Sequence, residues 1–331
     1  MTDPRPTQPI RVAIAGYGNL GRAVERAVHD APDMELVAIF SRRDPSTVDA
    51  QFAPVVAIEE AARFVDRVDV CALCGGSATD LDEQGPFFAS LFSTVDSFDT
   101  HAKIPTYFAR MDEVARESSH LSVISTGWDP GLFSINRVIA EAILPDGRTE
   151  TFWGRGVSQG HSDAVRRIPG VTGAVQYTVP IDAARDAVLA GDHTPLSTRD
   201  KHRRECVVAV EDGADRDDIT RQIQTMPHYF SDYDTTVEFV DAEVLRRDHA
   251  GMPHGGDVIR SGETSEGVVQ RYRFSLDLDS NPGFTGATVT ATVRAAARLA
   301  REGRTGAVTV LDIPPAYYSP RSAEELRADL L

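Results

Sequence analysis

The sequence predicts an α/β fold in which a doubly wound parallel sheet is followed by a second, α+β domain. Up to about Ser125, short apolar runs typical of buried strands alternate with stretches of helical periodicity. A glycine-rich turn joins the first apolar run to the first helix, and beyond Gly127 the strand candidates become longer and more alternating. Because 331 residues exceed what one hydrophobic core usually serves, two domains are expected.

The first supersecondary unit lies close to the N-terminus. Ile10–Ala15 is predicted to be a buried strand, Gly16–Gly21 a turn, Leu20–His29 a helix and Met34–Phe40 a second strand. A strand, glycine turn, helix and strand within about 30 residues form a unit whose crossover is right-handed. The two strands are therefore expected to be parallel neighbours.

Further strands of the same sheet follow. Val68–Leu73, Phe92–Asp96 and Leu121–Ser125 are short apolar candidates, and Pro105–Glu117 is a helical stretch between the last two. Regular alternation of strand and helix predicts a doubly wound sheet, whose ligands bind at the carboxyl ends of the strands.

The pattern changes after Gly127. Leu132–Leu144 is predicted to be helical, and Thr285–Glu302 is predicted to be a long Ala-rich helix. An antiparallel sheet with helices on one face is expected from four alternating segments: Ala174–Val179, Glu205–Val210, Thr236–Val240 and Val268–Asp279. We expect domain boundaries at residues 1–127 and 128–303, with the segment from about 304 to 331 packing back on the first domain.

Charge and targeting signals limit the possible partners. The net charge of −16 and pI of about 5.0 make binding to nucleic acid or to anionic lipid unfavourable. Met1–Pro9 is polar and proline-rich, and no apolar run is long enough to span a membrane. A cytoplasmic protein without nucleic-acid or membrane partners is expected.

The three cysteines are odd in number. Cys71 and Cys74 have C-x-x-C spacing, which can indicate a redox or metal pair. A strand, however, places residues three apart on opposite faces, and no second pair exists. We expect these two and Cys206 to be reduced.

The turn after the first strand has the spacing of a dinucleotide fingerprint. Gly16, Tyr17, Gly18, Asn19, Leu20 and Gly21 form G-x-G-x-x-G directly between a strand and a helix. The first glycine permits the turn, the second lets a pyrophosphate approach the backbone, and the third allows close helix packing, while the helix N-terminus supplies amides. The alternative is a plain tight turn. The sequence thus predicts a Rossmann-type dinucleotide-binding domain.

The end of the second strand predicts which cofactor is bound. An acidic residue there would hold the ribose hydroxyl of NAD, but this chain has Ser41, Arg42 and Arg43. Two guanidiniums and a hydroxyl suit a 2′-phosphate and favour NADP(H), although a solvated basic turn is the alternative. A second small-residue loop, expected to approach the cofactor's ribose or nicotinamide, contains Gly75, Ser77, Ala78 and Thr79.

Several later motifs are rich in functional side chains. His161, Asp163 and His254 could be considered as metal ligands, but their spacing matches no closed zinc site, and no required metal is expected. In order along the chain, the motifs are G-Y-G-N-L-G, F-S-R-R, G-S-A-T-D, S-T-G-W-D-P-G, F-W-G, S-Q-G-H-S-D-A, R-R-I-P-G-V, Q-Y-T and G-M-P-H-G-G.

This series of motifs resembles the meso-diaminopimelate dehydrogenase family from about Ile10 to Ser319. The resemblance implies a homodimer that oxidatively deaminates the D-centre of meso-2,6-diaminopimelate with NADP+. The products are ammonia and L-2-amino-6-oxopimelate, which cyclises to tetrahydrodipicolinate. The reverse reaction would serve lysine and diaminopimelate biosynthesis, and the second domain would bind substrate and form the dimer.

The resemblance also implies roles for individual residues. Asp99 and Asp129 match positions near the reacting amino group. The surrounding pocket would include Trp128, Trp153, Gln159 and Gly160. Positions that hold the distal L-centre match Thr178, Arg204, His254 and Asn281.

Physical chemistry is consistent with this set, because a substrate that is zwitterionic at both ends needs carboxylates as well as cationic donors. Asp99 or Asp129 could act as the base, directly or through water, and the choice stays open. A lysine base is disfavoured, because neither Lys103 nor Lys201 lies in a pocket motif.

Plain structural roles remain possible for each of these residues. Asp129 could be a turn former, Trp128 and Trp153 core residues, His254 a surface histidine, and Arg204 a solvated strand edge.

Two other functions also stay open. One is a different NADP-linked reductase on the same scaffold, which would not release ammonia. The other is a non-catalytic NADPH sensor, which would not need a doubly zwitterionic pocket.

Overall fold

The computed structural model describes residues 8–77 and 79–331 and divides the chain into two compact units. The first unit consists of the described residues up to Ile135 together with Pro282–Leu331, and the second is Asn136–Asn281. The second unit is thus inserted into the sequence of the first. None of the helices in the described residues is long and apolar enough to cross a membrane.

Fourteen strands are present in the described residues. They are β1 (Ile10–Ala15), β2 (Met34–Ser41), β3 (Val55–Ala57), β4 (Val70–Leu73), β5 (Ser93–Asp96), β6 (Leu121–Val123), β7 (Arg148–Trp153), β8 (Gly156–Val157), β9 (Val171–Pro180), β10 (His202–Val210), β11 (Asp234–Phe239), β12 (His254–Ser265), β13 (Val268–Leu278) and β14 (Gly306–Val308).

Eleven α-helices are present in the same part of the chain. They are α1 (Asn19–Asp30), α2 (Leu81–Ala89), α3 (Ile104–Glu117), α4 (Leu132–Ile143), α5 (Gln159–Arg166), α6 (Asp182–Ala190), α7 (Thr198–Lys201), α8 (Arg216–Gln224), α9 (Ala242–Asp248), α10 (Asn281–Arg301) and α11 (Ala323–Leu330).

The first unit contains a seven-stranded sheet in the order β14-β6-β5-β4-β1-β2-β3, and every neighbouring pair is parallel. Residues of β1 alternate between two buried clusters: Val12 and Ile14 belong to one, and Ala13 and Ala15 to the other. Such burial of both faces is expected of a parallel sheet covered by helices. The predicted doubly wound fold is confirmed.

The two cysteines of the C-x-x-C pair follow the same alternation. Cys71 packs in the cluster that contains Ala13, and Cys74 in the cluster that contains Val12. Both are buried and have free thiols, and burial raises the pKa of Cys74 to about 12. A reactive thiol needs a lowered pKa, so these residues act as core side chains.

The second unit departs from the single antiparallel sheet that was predicted. It contains a four-stranded sheet, β11-β10-β9-β8, and a three-stranded antiparallel sheet, β13-β12-β7. In the larger sheet β10 and β11 are parallel, because α8 connects them as a crossover. Of the smaller sheet, β13 was predicted, whereas β7 and β12 were missed because they carry too many polar residues and glycines to show a clear apolar pattern.

Within the G-M-P-H-G-G segment, β12 begins at the histidine. Gly255 and Gly256 have positive φ angles, and a Cβ on either would lie 2.1 Å or 2.3 Å from a carbonyl oxygen of a neighbouring strand. These glycines therefore permit the close approach of β7 and β13, which no other residue would allow.

The domain boundaries of the structure differ from the expected ones at 127 and 303. Nearly all of α10 belongs to the first unit, because its buried face, which includes Val289 and Val293, packs in the same cluster as β1. Arg294 on this helix pairs with Asp33 through two hydrogen bonds of 2.6 and 2.7 Å. The last part of the chain contributes β14, which pairs with β6.

Candidate functional site

The glycine turn after β1 has the geometry that an anion-binding turn requires. Gly16 has φ +91°, and a Cβ on Gly21 would lie 2.3 Å from the carbonyl oxygen of Gly16. A Cβ on Gly18 would meet nothing within 4 Å, so the backbone is open there. The N-cap position of α1 is Gly18, and no side-chain cap hydrogen bond is made there within the described residues. The open turn and the N-terminal amides of α1 can accept a pyrophosphate.

Tyr17 faces the interior of the first unit. Its hydroxyl donates to the buried carboxylate of Glu25, which also accepts the backbone N–H groups of Gln51 and Phe52, both at 2.9 Å. Burial and this carboxylate raise the pKa of Tyr17 to about 12. Tyr17 is therefore a structural anchor of the turn, and only its backbone is available to a cofactor.

The end of β2 lies against this turn. The guanidinium of Arg43 donates to the carbonyl of Tyr17 at 2.6 Å, and its backbone N–H donates to the hydroxyl of buried Ser41 at 3.0 Å. Arg42 reaches the loop after β4 through a 2.6 Å bond to Asp80. Both arginines are exposed, so their remaining donors face solvent. Asp44 is occupied as the cap of a short helical turn, where it accepts from Ser46.

The loop after β4 contacts two neighbouring loops. A Cβ on Gly16 would lie 3.2 Å from the backbone N of Gly75, so the two backbones are close. The hydroxyl of Ser77 accepts the backbone N–H groups of Asp99 at 3.0 Å and Thr100 at 3.1 Å. The side chain of Thr79 lies against Gly76. Ala78 was also predicted to bind the cofactor, but it lies outside the described residues.

Asp99 and Asp129 follow β5 and β6, respectively. Asp99 is exposed, and Asp129 is half-buried in a turn where Trp128 and Gly131 form an isolated bridge. Trp128 is buried, and its ring meets that of Phe133 edge to face at 5.2 Å. We refer to residues 75–77, 79–80, 97–100 and 125–131 as the strand-end loops. They stand at the carboxyl ends of β4, β5 and β6.

Arg204 and Thr178 are direct neighbours across β10 and β9 in the second unit. Arg204 is 6% exposed, donates to the Thr178 hydroxyl and lies 3.9 Å above the ring of Tyr233. Its Nε has no hydrogen-bond partner, and no carboxylate among the described residues lies within ion-pair distance of it. Burial lowers its pKa. Arg204 is therefore a buried cation and not a solvated strand edge.

His254 lies next to this pair. Gly156 pairs with Thr178 across β8 and β9, and a Cβ on Gly156 would lie 2.3 Å from the His254 ring. The Nδ1 atom of His254 accepts the N–H of Gly255 at 2.8 Å, which fixes the ring. We refer to Thr178, Arg204, Tyr233 and His254 as the Arg204 cluster.

An open pocket of about 410 Å³ adjoins His254 and contains three other guanidiniums. Each of these arginines is paired: Arg155 with Glu205, Arg185 with Asp182 and Arg273 with Asp257. Arg204 differs from them because no carboxylate in the described part of the chain balances its charge.

Trp153 is held by a residue that the sequence did not single out. Its backbone N–H donates to Nε2 of His202 at 2.8 Å, and the two rings stack with centroids 5.0 Å apart. His202 is 1% exposed, and burial together with Arg204 lowers its pKa to about 3. The imidazole is therefore neutral and acts as an acceptor for Trp153.

Two of the remaining predicted substrate residues, Gln159 and Asn281, contact Met252. Gln159 donates from Nε2 to the Met252 sulfur at 3.3 Å, and the backbone N–H of Asn281 donates to the Met252 carbonyl at 2.8 Å. Gly160 is exposed in the first turn of α5, with open space around its Cα. The eight predicted substrate residues thus divide, with Trp128 in the first unit and the others in the second.

Sequence reasoning missed several buried polar residues near these sites. The most connected is Asp96, whose carboxylate accepts three hydrogen bonds. His161, which the sequence analysis considered only as a metal ligand, is half-buried. Burial and Arg204 lower its pKa to about 4, and its Nδ1 contacts the Ser158 hydroxyl at 2.7 Å. An aspartate at the end of an apolar strand was a usable signal for Asp96. No cluster of three or more potential metal ligands occurs among the described residues.

Comparison with known proteins identifies the family. Residues 127–280 match the model of the diaminopimelic acid dehydrogenase C-terminal domain. A meso-diaminopimelate D-dehydrogenase from Ureibacillus thermosphaericus is 56% identical over 97% of this chain and 99% of its own.

Solved structures agree with this match. A six-fold variant of meso-diaminopimelate dehydrogenase from Clostridium tetani, crystallised with diaminopimelate, has a TM-score of 0.92 and 52% identity over 97% of this chain and 100% of its own. An engineered D-amino acid dehydrogenase bound to NADP+ has a TM-score of 0.89 and 44% identity over 98% of this chain and 100% of its own.

The chain belongs to the meso-diaminopimelate dehydrogenase family. The family predicted from the motifs is therefore confirmed, as are the enzyme class, an oxidoreductase acting on CH–NH2 groups, and NADP(H) as the cofactor.

Proposed function

We propose that this enzyme catalyses the reversible oxidative deamination of meso-2,6-diaminopimelate at its D-centre, with the predicted residues as its site. Meso-2,6-diaminopimelate, NADP+ and water would give L-2-amino-6-oxopimelate, ammonium and NADPH, with one proton released. The observation that carries the proposal is Arg204, a buried guanidinium without a carboxylate partner in the described residues. Because a buried charge is costly unless it is paired, such a group indicates a site for an anion such as a substrate carboxylate.

The strand-end loops and the glycine turn fit NADP(H). The turn at Gly16–Gly21 would hold the pyrophosphate, and the exposed donors of Arg42 and Arg43 would hold the 2′-phosphate. Ser77 joins the loop after β4 to the loop that carries Asp99. When bound, NADP+ would supply the acceptor for the hydride removed from the D-centre.

Asp99 and Asp129 would supply the acid–base chemistry. The substrate amine is an ammonium ion at neutral pH, so a carboxylate is needed to take its proton before the carbon can be oxidised. Removal of the hydride from the D-centre then gives an imine. Water adds to the imine carbon, a proton is transferred to the nitrogen, and ammonia leaves. Either aspartate could accept and return these protons, directly or through water.

The Arg204 cluster would hold the distal L-centre. The Clostridium tetani variant replaces six residues: a glutamine, a threonine, an arginine, a proline, a histidine and an asparagine. The same six residue types occur at the same intervals in this chain, at Gln159, Thr178, Arg204, Pro253, His254 and Asn281. Fixing the L-centre here would leave the D-centre as the only reacting one, which explains stereoselection.

A homodimer in the cytoplasm completes the proposal. In the second unit, α4 exposes three large apolar side chains, Val138, Ile139 and Ile143, at 44 to 58%. An apolar helix face of this kind is typical of a surface covered by another protein chain. Light scattering of the purified protein would measure the dimer, and a charged substitution at Ile143 is expected to weaken it.

The reaction is tested with the three stereoisomers of diaminopimelate offered separately. Selective NADPH formation with the meso isomer, matched by ammonia release, is expected. Turnover of another imine or hydroxy substrate without ammonia would instead indicate a different NADP-linked reductase. Tight NADPH binding without turnover of any stereoisomer would indicate a sensor.

A further inference from the structure

Asp96 is a buried carboxylate at the carboxyl end of β5, and it is 0% exposed. Its Oδ1 accepts the backbone N–H of Phe98 at 3.0 Å and that of Ser125 at 2.9 Å. Its Oδ2 accepts the hydroxyl of Tyr107 at 2.8 Å. All three partners are donors, so the ionised carboxylate, which only accepts, fits this position.

The backbone of Asp96 makes the same connection as its side chain. Its carbonyl accepts the backbone N–H and the hydroxyl of Thr126, both at 2.8 Å. One residue therefore binds the loop that leads to Asp99 and the loop that leads to Asp129. It does so where the second loop turns sharply, because Ser125 has φ +57°.

Tyr107 fixes the carboxylate from the opposite side. Its ring stacks on Phe98 with centroids 4.0 Å apart and an interplanar angle of 7°. Its hydroxyl lies against α2, where a Cβ on Gly85 would be only 2.4 Å away. The carboxylate cannot turn away from the two loop amides without losing this bond. Burial raises the pKa of Asp96 to about 6, as expected for a carboxyl group isolated from water.

We infer that Asp96 is a positioning residue for the reaction: its buried carboxylate sets the loops that carry Asp99 and Asp129 relative to each other. It cannot be a catalytic residue, because it is not exposed to a ligand. The inference rests on the proposed roles of Asp99 and Asp129. A displacement of about 1 Å at a reacting group can cost about 100-fold in rate, so loss of this anchor is expected to lower turnover strongly.

The experiment compares Asp96→Ala, Asp96→Asn and Tyr107→Phe with Thr94→Val. Thr94 lies on the same strand, and its hydroxyl donates to Ser122 at 2.9 Å in the sheet interior, so its variant is a matched control. We expect Asp96→Ala to lower kcat by about 100-fold, with the Kd for NADPH nearly unchanged. Asp96→Asn should recover much of kcat, because one amide oxygen can accept both loop amides. Tyr107→Phe should have a smaller effect, and Thr94→Val little effect.

Hydrogen exchange and the two milder variants keep the outcome interpretable. Hydrogen exchange should become faster at the amides of Phe98 and Ser125 in Asp96→Ala, but not in Thr94→Val. If Asp96→Ala does not fold, Asp96→Asn and Tyr107→Phe provide the same comparison at smaller amplitude. A folded Asp96→Ala enzyme with kcat within about threefold of wild type, or an equal loss in Thr94→Val, would overturn the inference.

Failure of the proposed function would be recognised separately. If the wild-type protein does not turn over meso-diaminopimelate, that function is wrong. Hydrogen exchange at the two loop amides would then still show whether Asp96 holds the loops. Unchanged exchange at both amides in Asp96→Ala would overturn the positioning role whatever the substrate is.

Discussion

A buried charge holds the strand-end loops, and a buried charge of opposite sign lies in the Arg204 cluster, but the two differ in their bonding. Beside the loops, the anion Asp96 at the end of β5 accepts hydrogen bonds from three donors of its own unit. In the cluster, the cation Arg204 donates to Thr178, but its Nε is unpaired. A buried charge whose hydrogen bonds are all satisfied by protein groups holds those groups in place. A buried charge with an unsatisfied hydrogen-bonding group is suited to bind a ligand. The bonding of the first region thus suits it to position its own groups, and that of the second suits it to the substrate binding proposed above.

The largest effect is expected in the first region. Asp129→Asn should lower kcat by about 1,000-fold, because general acid–base groups contribute at that level. The KM for substrate and the Kd for NADPH should change little. Steady-state kinetics and fluorescence titration of NADPH measure these quantities. Asp30→Asn, at an exposed carboxylate paired with Arg26, is the control and should match wild type. An unchanged kcat in Asp129→Asn would transfer the role to Asp99.

The complementary change in the second region is Arg204→Met. We expect kcat/KM for meso-diaminopimelate to fall by about 100-fold, since a buried charge contact to the substrate is lost. The melting temperature should stay near that of wild type, because the change leaves no carboxylate of the described residues unpaired. Arg273→Met is the control. It leaves buried Asp257 without its arginine partner, so it should lower the melting temperature more than it lowers kcat/KM. The comparison between the regions fails if Arg204→Met unfolds the protein and leaves the kinetics of the folded fraction intact.

The residues proposed to select NADP(H), Arg42 and Arg43, both lie in the first unit. The double change Arg42→Ala and Arg43→Ala should weaken NADPH by about 30-fold and leave NADH nearly unchanged, because charge-assisted bonds to the 2′-phosphate are lost. Titration with both cofactors measures the ratio. Arg22→Ala, a change in α1 close to the same turn, serves as a control for general loss of positive charge. Equal weakening of NADPH and NADH would argue against the assignment.

The smallest expected effects are opposite pH dependences of stability. The native pKa of Asp96 is raised to about 6, so the native state binds its proton more tightly than the unfolded state. Wild type should therefore gain stability relative to Asp96→Asn as the pH falls from about 7 to 4. His202 has a lowered native pKa of about 3, so the unfolded state takes up its proton first, below about pH 6.5. Wild type should lose stability relative to His202→Gln over the same range.

Melting temperatures of the three proteins at several pH values test both signs. Two stability differences are compared: wild type against Asp96→Asn, and wild type against His202→Gln. If both change in the same direction with pH, the buried environment described for Asp96 or for His202 is wrong.

Much of the first unit could be predicted from the sequence because its signals are local. A strand, a glycine turn and a helix follow one another directly, and β1 has the predicted bounds Ile10–Ala15. The arginines after β2 were also visible, because they occur at a fixed position in this unit. What the sequence did not reveal is that Asp96 joins two loops. That role depends on β5 and β6 becoming neighbours, and no local pattern reports it.

The second unit was predicted less well, for a physical reason. The strands β7 and β12 pair over long sequence separations, and the glycines at the start of β12 resemble a loop until their close contacts are known. Burial of Arg204 likewise depends on its neighbours across the sheet. The resemblance to a family predicted a shared role for Arg204, His254 and Thr178, but only the structure shows that Gly156 lies against both Thr178 and His254.

The pairing of β14 with β6 can form only late in synthesis, because β14 lies near the end of the chain. About 180 residues separate these two neighbouring strands, and a ribosome needs roughly 10 to 40 seconds to add them. Throughout that time β6 has one unpaired edge, while the whole inserted unit emerges and can fold. An exposed strand edge can pair with other chains. Yield of intact enzyme in a cell will therefore depend on how fast translation proceeds from Val123 to Val308.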